Sequence, residues 1–217
     1  MIKLENTNVY GWEAAIRGMR NPMNSWDRSD THWPTEDYPV MEIGLNDLSL
    51  MRRLAKAGSV DAKYRRMLNV TVDITAPLYW WAEFDTYKVG TVRNSCSKMH
   101  KLAAKEFTPD DFSHEHLREL PIKSGGNINY SVIFEVVIAA LNNAREMYLQ
   151  TGDKVHWWQM IQMLPSSYNQ RATVQLNYEV LAGIYPKRKD HKLDEWHDFC
   201  GWIKSLPYSE LITMEED

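Results

Sequence analysis

Cysteine is scarce in this chain: Cys96 and Cys200 are the only two in 217 residues, and they do not form a C-x-x-C pair. That excludes a disulfide framework and a thiolate zinc site, and it fits a reducing, cytoplasmic setting. Long apolar runs are also missing. The most apolar stretch, Val132–Leu141, is interrupted by Glu135 and is too short to cross a bilayer. Met1–Tyr10 has no basic-then-apolar leader, so neither secretion nor a membrane partner is expected. Positive charge is not in excess, with Lys plus Arg at 25 against Asp plus Glu at 29, a net of −4. No global field exists to hold a duplex nucleic acid. Ser124-Gly125-Gly126 lacks the dinucleotide fingerprint and reads as a plain turn. There is no internal repeat and no low-complexity linker.

What is present is ordinary globular material, 44% hydrophobic and 25% charged. One α+β domain spanning 1–217 is the economical reading. Aromatics stand out, with nine Trp that include the pairs Trp80–Trp81 and Trp157–Trp158. Such residues serve cores, oligomer contacts or stacking on a planar ligand. Leu68, Val70, Val72 and Ile74 alternate with polar residues, which predicts a half-buried strand running up to Pro77. Pro77 then opens a helix over Leu78–Asp85. Asn46–Ala57 reads as an amphipathic helix closed by Gly58. Val132, Ile133, Val136, Val137, Ala140, Leu141, Ala144 and Tyr148 form a broad apolar stripe on one long helix ended by Gly152. Val155–Leu164 is a further helix, Thr173–Leu176 a short strand, and Asn177–Tyr185 a helix stopped by Pro186. Leu193, Trp196, His197, Cys200 and Ile203 make one face of a last helix with Asp190 as its N-cap. Asn21–Glu42 and Thr108–Gly126 read as loops.

Few residues carry chemistry by spacing alone. His114 and His116 have no third ligand in view, so no metal is expected. Cys96 sits beside the cation Lys98 but has no visible histidine partner. A distributed group says more. Lys88, Arg93 and Lys98 are interleaved with Thr91, Asn94, Ser95 and Ser97, and Arg171 and Lys187-Arg188-Lys189 lie further on. Cations mixed with hydroxyl and amide side chains suit phosphate and sugar.

Four stretches resemble the flavin-dependent thymidylate synthases. Ala14-Ala15-Ile16-Arg17 is similar to that family's early A-A-R-V segment. Leu68–Pro77, LNVTVDITAP, resembles the strand ending in K-A-P, and LYWWAEFDTYKVGTVRNSCSKM follows without a gap against IFVARQWFRHRxxSxNExSxRY. Leu164-Pro165 with Ser167-Tyr168 resembles L-P-x-x-T-Y, and Asn177–Trp196 resembles the N-x-x-x-L…L-R-x-D segment. The departures are concentrated in the signature. R-H-R-x-x-S falls on Thr86-Tyr87-Lys88-Val89-Gly90-Thr91, and the acidic, serine and arginine positions that follow fall on Asn94, Cys96 and Lys98.

The resemblance implies an α+β fold in which a small antiparallel sheet packs on long helices and chains assemble as a homotetramer. It implies a small nucleotide ligand at a subunit interface, with Lys88, Thr91, Arg93, Asn94, Cys96, Ser97, Lys98 and Arg188 holding phosphate, sugar or base. Tyr87 stands where the flavin-contacting histidine would be. Tyr87, Trp80, Trp81, Arg171 and Asn177 are then the expected contacts to cofactor or base. Two functions follow. One is an enzyme of thymidylate-synthase type acting on a dUMP-like nucleotide with FAD. The alternative is a non-catalytic, phage-borne binder that sequesters a modified or signalling nucleotide. Catalytic residues cannot be assigned, because the degraded signature removes the groups that would grip phosphate bidentately.

Overall fold

The computed structural model describes residues 2–37 and 40–215, the side chains of Lys98 and His100 excepted. In chain order the main elements are β1 (Lys3–Tyr10), α1 (Trp12–Arg20), α2 (Leu45–Ala57), β2 (Asn69–Pro77), α3 (Leu78–Phe84), β3 (Val92–Ser95) and α4 (Lys98–Lys101). They continue with β4 (Glu119–Pro121), β5 (Asn127–Asn129), α5 (Tyr130–Thr151), α6 (Lys154–Met163), β6 (Asn169–Asn177), α7 (Tyr178–Arg188), α8 (Asp194–Lys204) and α9 (Glu210–Thr213). One sheet has the order β1-β2-β6-β3, and β4 and β5 form a small antiparallel hairpin with Leu120 opposite Ile128. No described helix is long and apolar enough to cross a membrane. The chain divides into two compact units.

The first unit comprises Met1–Lys3, Thr75–Thr86 and Asn94–Ala172. Its core is aromatic and aliphatic: Phe107, Phe112 and Phe134 pack with Ile138, Leu141 and Met160, at the junction of α5 and α6. Asn129 caps α5, its side-chain oxygen accepting from the Ser131 and Val132 amides, and Gly152 closes the helix at φ +68°, a left-handed value that glycine tolerates. The buried stripe of α5 is Phe134, Ile138, Leu141 and Ala144. That corrects part of the expected face: Val132, Ile133 and Val136 are 52%, 51% and 64% exposed. The amphipathic pattern is broad enough that burial by this chain takes the Phe134 side and leaves the other uncovered.

The second unit comprises Leu4–Ile74, Tyr87–Arg93 and Thr173–Asp217. Trp12 meets Tyr178 and Tyr208 edge to face, and Gly11 is obligatory because a Cβ there would lie 2.1 Å from the Met67 carbonyl oxygen. The polar centre is a buried ion pair. Arg20 Nε donates to Asp47 Oδ1 at 2.6 Å, and the two side chains are 4% and 0% exposed. Asp47 Oδ2 accepts from Ser29 Oγ, Thr31 Oγ1 and the Asp30 and Thr31 amides. The other guanidinium nitrogens donate to the carbonyls of Ser25 and Arg28. Residues 25–31 of the expected loop Asn21–Glu42 are therefore stitched to α1 and α2. It contains two short 3-10 turns, Asn21–Met23 and Trp26–Arg28.

Other boundaries shift for local reasons. Residues 92–95, which no sequence pattern marks, form the edge strand β3, whose mostly exposed side chains carry no alternation. Strand β6 is longer than Thr173–Leu176. Helix α7 runs through Pro186, because a proline in the last turn forfeits one bond and the ladder resumes with Lys189 N–H on the Tyr185 carbonyl. Helix α8 starts at Asp194 with Leu193 at its N-cap, not at Asp190. His197 leaves the apolar face, its side chain 48% exposed and 3.8 Å from Asp194.

Burial pushes the Asp47 carboxyl up, but the hydrogen bonds from Thr31, Ser29 and Arg20 and the arginine charge outweigh it and hold the group below its usual value. A folded-state value below the unfolded one stabilises the fold above about pH 4, and that stabilisation is lost as pH falls through the folded value. Asp47→Asn leaves Arg20 buried without its counter-charge and should cost about 3–5 kcal/mol near neutral pH. Urea unfolding of both forms from neutral to acid pH checks this, with the gap between them narrowing as pH falls.

Candidate functional site

The expected site residues fall into two groups, one in each unit. In the first unit, β3 ends at Ser95 and the chain enters Cys96-Ser97 before α4. Cys96 is held at both backbone groups. Its N–H donates to the Arg171 carbonyl at 3.0 Å, and its carbonyl accepts from the buried Gln170 side chain at 2.6 Å. This clamp forms one wall of a cleft of about 510 Å³, where Ser97, Lys101, Lys105, Arg171 and Tyr168 also lie. Lys105 pairs with Asp111, which also accepts from the Thr108 amide, so one of the cations is already neutralised. Burial, with the nearby charges of Asp111 and Cys96, pushes the Tyr168 hydroxyl above its usual value, so it remains protonated at neutral pH. Ser97, Lys101 and Arg171 are exposed. The cleft combines ammonium, guanidinium and hydroxyl donors with an apolar floor that includes Leu102 and Phe107. That chemistry suits a phosphorylated ligand with a planar or apolar body.

In the second unit, Arg188 at the end of α7 is held by aromatics. Its Nε donates to the Tyr87 hydroxyl at 2.9 Å, and its guanidinium carbon lies 4.5 Å from the Trp196 ring centre and 5.5 Å from that of Tyr87. Trp196 is fully buried in α8. Such stacking orients a guanidinium fork at little entropic cost. Nearby, Gly90 sits at φ +78°, and a Cβ there would come within 3.0 Å of Val180 and 3.2 Å of the Asn177 amide. The Thr91 hydroxyl is buried and has no hydrogen-bond partner among the described residues.

Some expected contacts are corrected. Trp80 and Trp81 are 0% and 2% exposed, so neither presents a face to a base. Trp80 stacks on Phe84 at 5.0 Å, and the Trp81 indole N–H donates to the Gln170 carbonyl. Asn177 is a helix cap, since its side-chain oxygen accepts from the Val180 amide. Asn94 and Lys88 are exposed, and Arg93 is half-buried. The side chain of Lys98 lies outside the described residues. His114 stacks on Phe134 at 5.4 Å, and no cluster of three or more potential metal ligands occurs among the described residues. Lys101, Lys105, Tyr168 and Gln170 were not expected. The spacing of Lys101 and Lys105 suggests only a helix surface, and nothing local ties either to Arg171.

No protein-family profile and no curated protein sequence matches the chain. Solved structures do. Flavin-dependent thymidylate synthase ThyX from Helicobacter pylori, complexed with FAD and dUMP, superposes with a TM-score of 0.69 at 16% identity, covering 98% of each chain. A second structure of that enzyme with the same ligands gives 0.68 at 15% identity over 99% of this chain and 98% of the other. The fold is ThyX-like. A third structure, the UMP/dUMP methylase PolB from Streptomyces cacaoi bound with 5-Br dUMP, gives 0.60 at 16% identity, covering 99% of this chain and 94% of the other. At these identities the shared property is the fold.

The Asn177 cap has a measurable consequence. Asn177→Ala should lower stability by about 1 kcal/mol through the lost Val180 bond. Thermal melts of the two forms check this.

Proposed function

We propose that this protein binds a phosphorylated pyrimidine nucleotide of dUMP type in the Cys96–Arg171 cleft and holds it without turnover. The observation carrying this reading is the clamp that sets Cys96 against β6 and brings Ser97, Lys101 and Arg171 to one cleft. Its volume of about 510 Å³ is within the range of small-molecule sites, about 300–1,000 Å³. Lys101 and Arg171 supply charge for the phosphate, Ser97 a hydroxyl donor, and Leu102 and Phe107 an apolar surface for the base. The dUMP and 5-Br dUMP in the ThyX and PolB structures support a nucleotide on this architecture.

A flavin is the cofactor that the fold suggests, and FAD is present in the Helicobacter pylori complexes. The residues of this chain do not fit it as the resemblance implies. The R-H-R positions carry Thr86, Tyr87 and Lys88, and the Tyr87 hydroxyl is engaged with Arg188. Trp80 and Trp81 face the core. Sequestration is the role these residues favour. The exposed apolar face of α5, with Val132, Ile133 and Val136, supports assembly into a homotetramer, and the free cysteines suit a cytoplasmic protein.

Heat-released ligand from purified protein, identified by mass spectrometry, should contain a pyrimidine nucleotide. In a melting assay, Lys101→Ala/Arg171→Ala should abolish the shift given by dUMP. A yellow preparation, or one that gains a flavin absorbance band on adding FAD, would replace sequestration with the enzyme reading. An empty extract together with no melting shift across a nucleotide panel would remove the nucleotide reading. Light scattering should give four chains, and a monomer would contradict the role of the α5 face.

A further inference from the structure

The second unit contains another cleft, of about 340 Å³, lined by Arg20, Arg28 and Arg53 with Ser25, Asn46 and Ser49. No carboxylate lines it. Arg20 is neutralised by Asp47, so the net charge of the cleft comes from Arg28 and Arg53. Neither of these two side chains has an acidic partner among the described residues. The nearby Asp30 carboxylate is occupied, accepting from the Asn46 and Asp47 amides at the start of α2.

The backbone beneath both cations is fixed. Arg20 Nη2 donates to the Arg28 carbonyl and Nη1 to the Ser25 carbonyl, both at 3.1 Å, so the buried ion pair sets one rim. Arg53 lies on α2 on the same face as Asn46, Ser49 and Leu50, which sets the other rim. Like charges brought together without a counter-ion repel one another, and an anion between them removes that cost. Guanidinium forks with two serine hydroxyls match the oxygens of a phosphate. Met23 and Leu50 add an apolar wall, so the cleft has room for a carbon body beside the phosphate.

We propose that this cleft is an anion site for a phosphorylated small molecule, separate from the Cys96–Arg171 cleft. The phosphate is held by Arg28, Arg53, Ser25 and Ser49, and the organic part lies against Met23 and Leu50. The proposal does not depend on the nucleotide reading above.

Titration of pyrophosphate into the Lys101→Ala/Arg171→Ala protein tests it, because that background disables the first cleft. Saturable binding is expected there. Adding Arg28→Ala/Arg53→Ala should weaken it by roughly tenfold or more, while the thermal melt without ligand stays close to the parent because both side chains are exposed. Arg28→Lys/Arg53→Lys, which keeps charge and loses the planar fork, should give an intermediate loss. Absence of saturable binding in the parent, or affinity unchanged by the double alanine change, would overturn the proposal.

Discussion

The clamp on Cys96 is the interaction on which the proposed nucleotide site rests. One amide and one carbonyl of a single residue are tied to consecutive residues of β6, Arg171 and Gln170. Without it the segment after β3 would be a free loop, and Ser97 and Lys101 would have no fixed relation to Arg171. Gln170 is buried, so its amide would be costly to leave unbonded. That cost makes the clamp a constraint on the backbone. The indole N–H of Trp81 uses the Gln170 carbonyl, which ties α3 to the same strand. The tryptophan pair that looked like a ligand platform is part of the support beneath the cleft.

In the other unit the same role is taken by Arg20 and Asp47. A buried ion pair is weak support for net stability, because desolvation offsets much of the attraction. What it provides is geometry: seven donors and acceptors from residues 25–31 converge on it. The order of a segment rich in Pro, Asn, Ser and Asp has this origin. The second cleft inherits its shape from the same contacts.

Much of the fold was legible in the sequence. The alternation of Val70, Val72 and Ile74 marks β2, and each of these residues is buried. Gly58 and Gly152 mark two helix ends, both at positive φ. The ThyX-like order of elements could be read from Ala76-Pro77 and the gapless run that follows. The site was less legible. Tyr87 and Arg188 meet across 101 positions, and neither has a local pattern that predicts the other. Consecutive tryptophans on a short helix suit a core and a ligand platform equally by pattern, and the fold buries both. Edge strand β3 has one half-buried residue in four, so period-two reasoning has nothing to detect. Lys101 and Lys105 look like solvated surface charges until the chain between them and Tyr168 is folded.

The central claim is that a phosphate group, held by Lys101 and Arg171, anchors a pyrimidine nucleotide. Calorimetric titration of dUMP and of deoxyuridine into the same protein tests it most directly. The account predicts saturable dUMP binding that weakens as salt is raised, and no measurable binding of deoxyuridine. Equal affinity for the two, or no binding of dUMP at low salt, would contradict it.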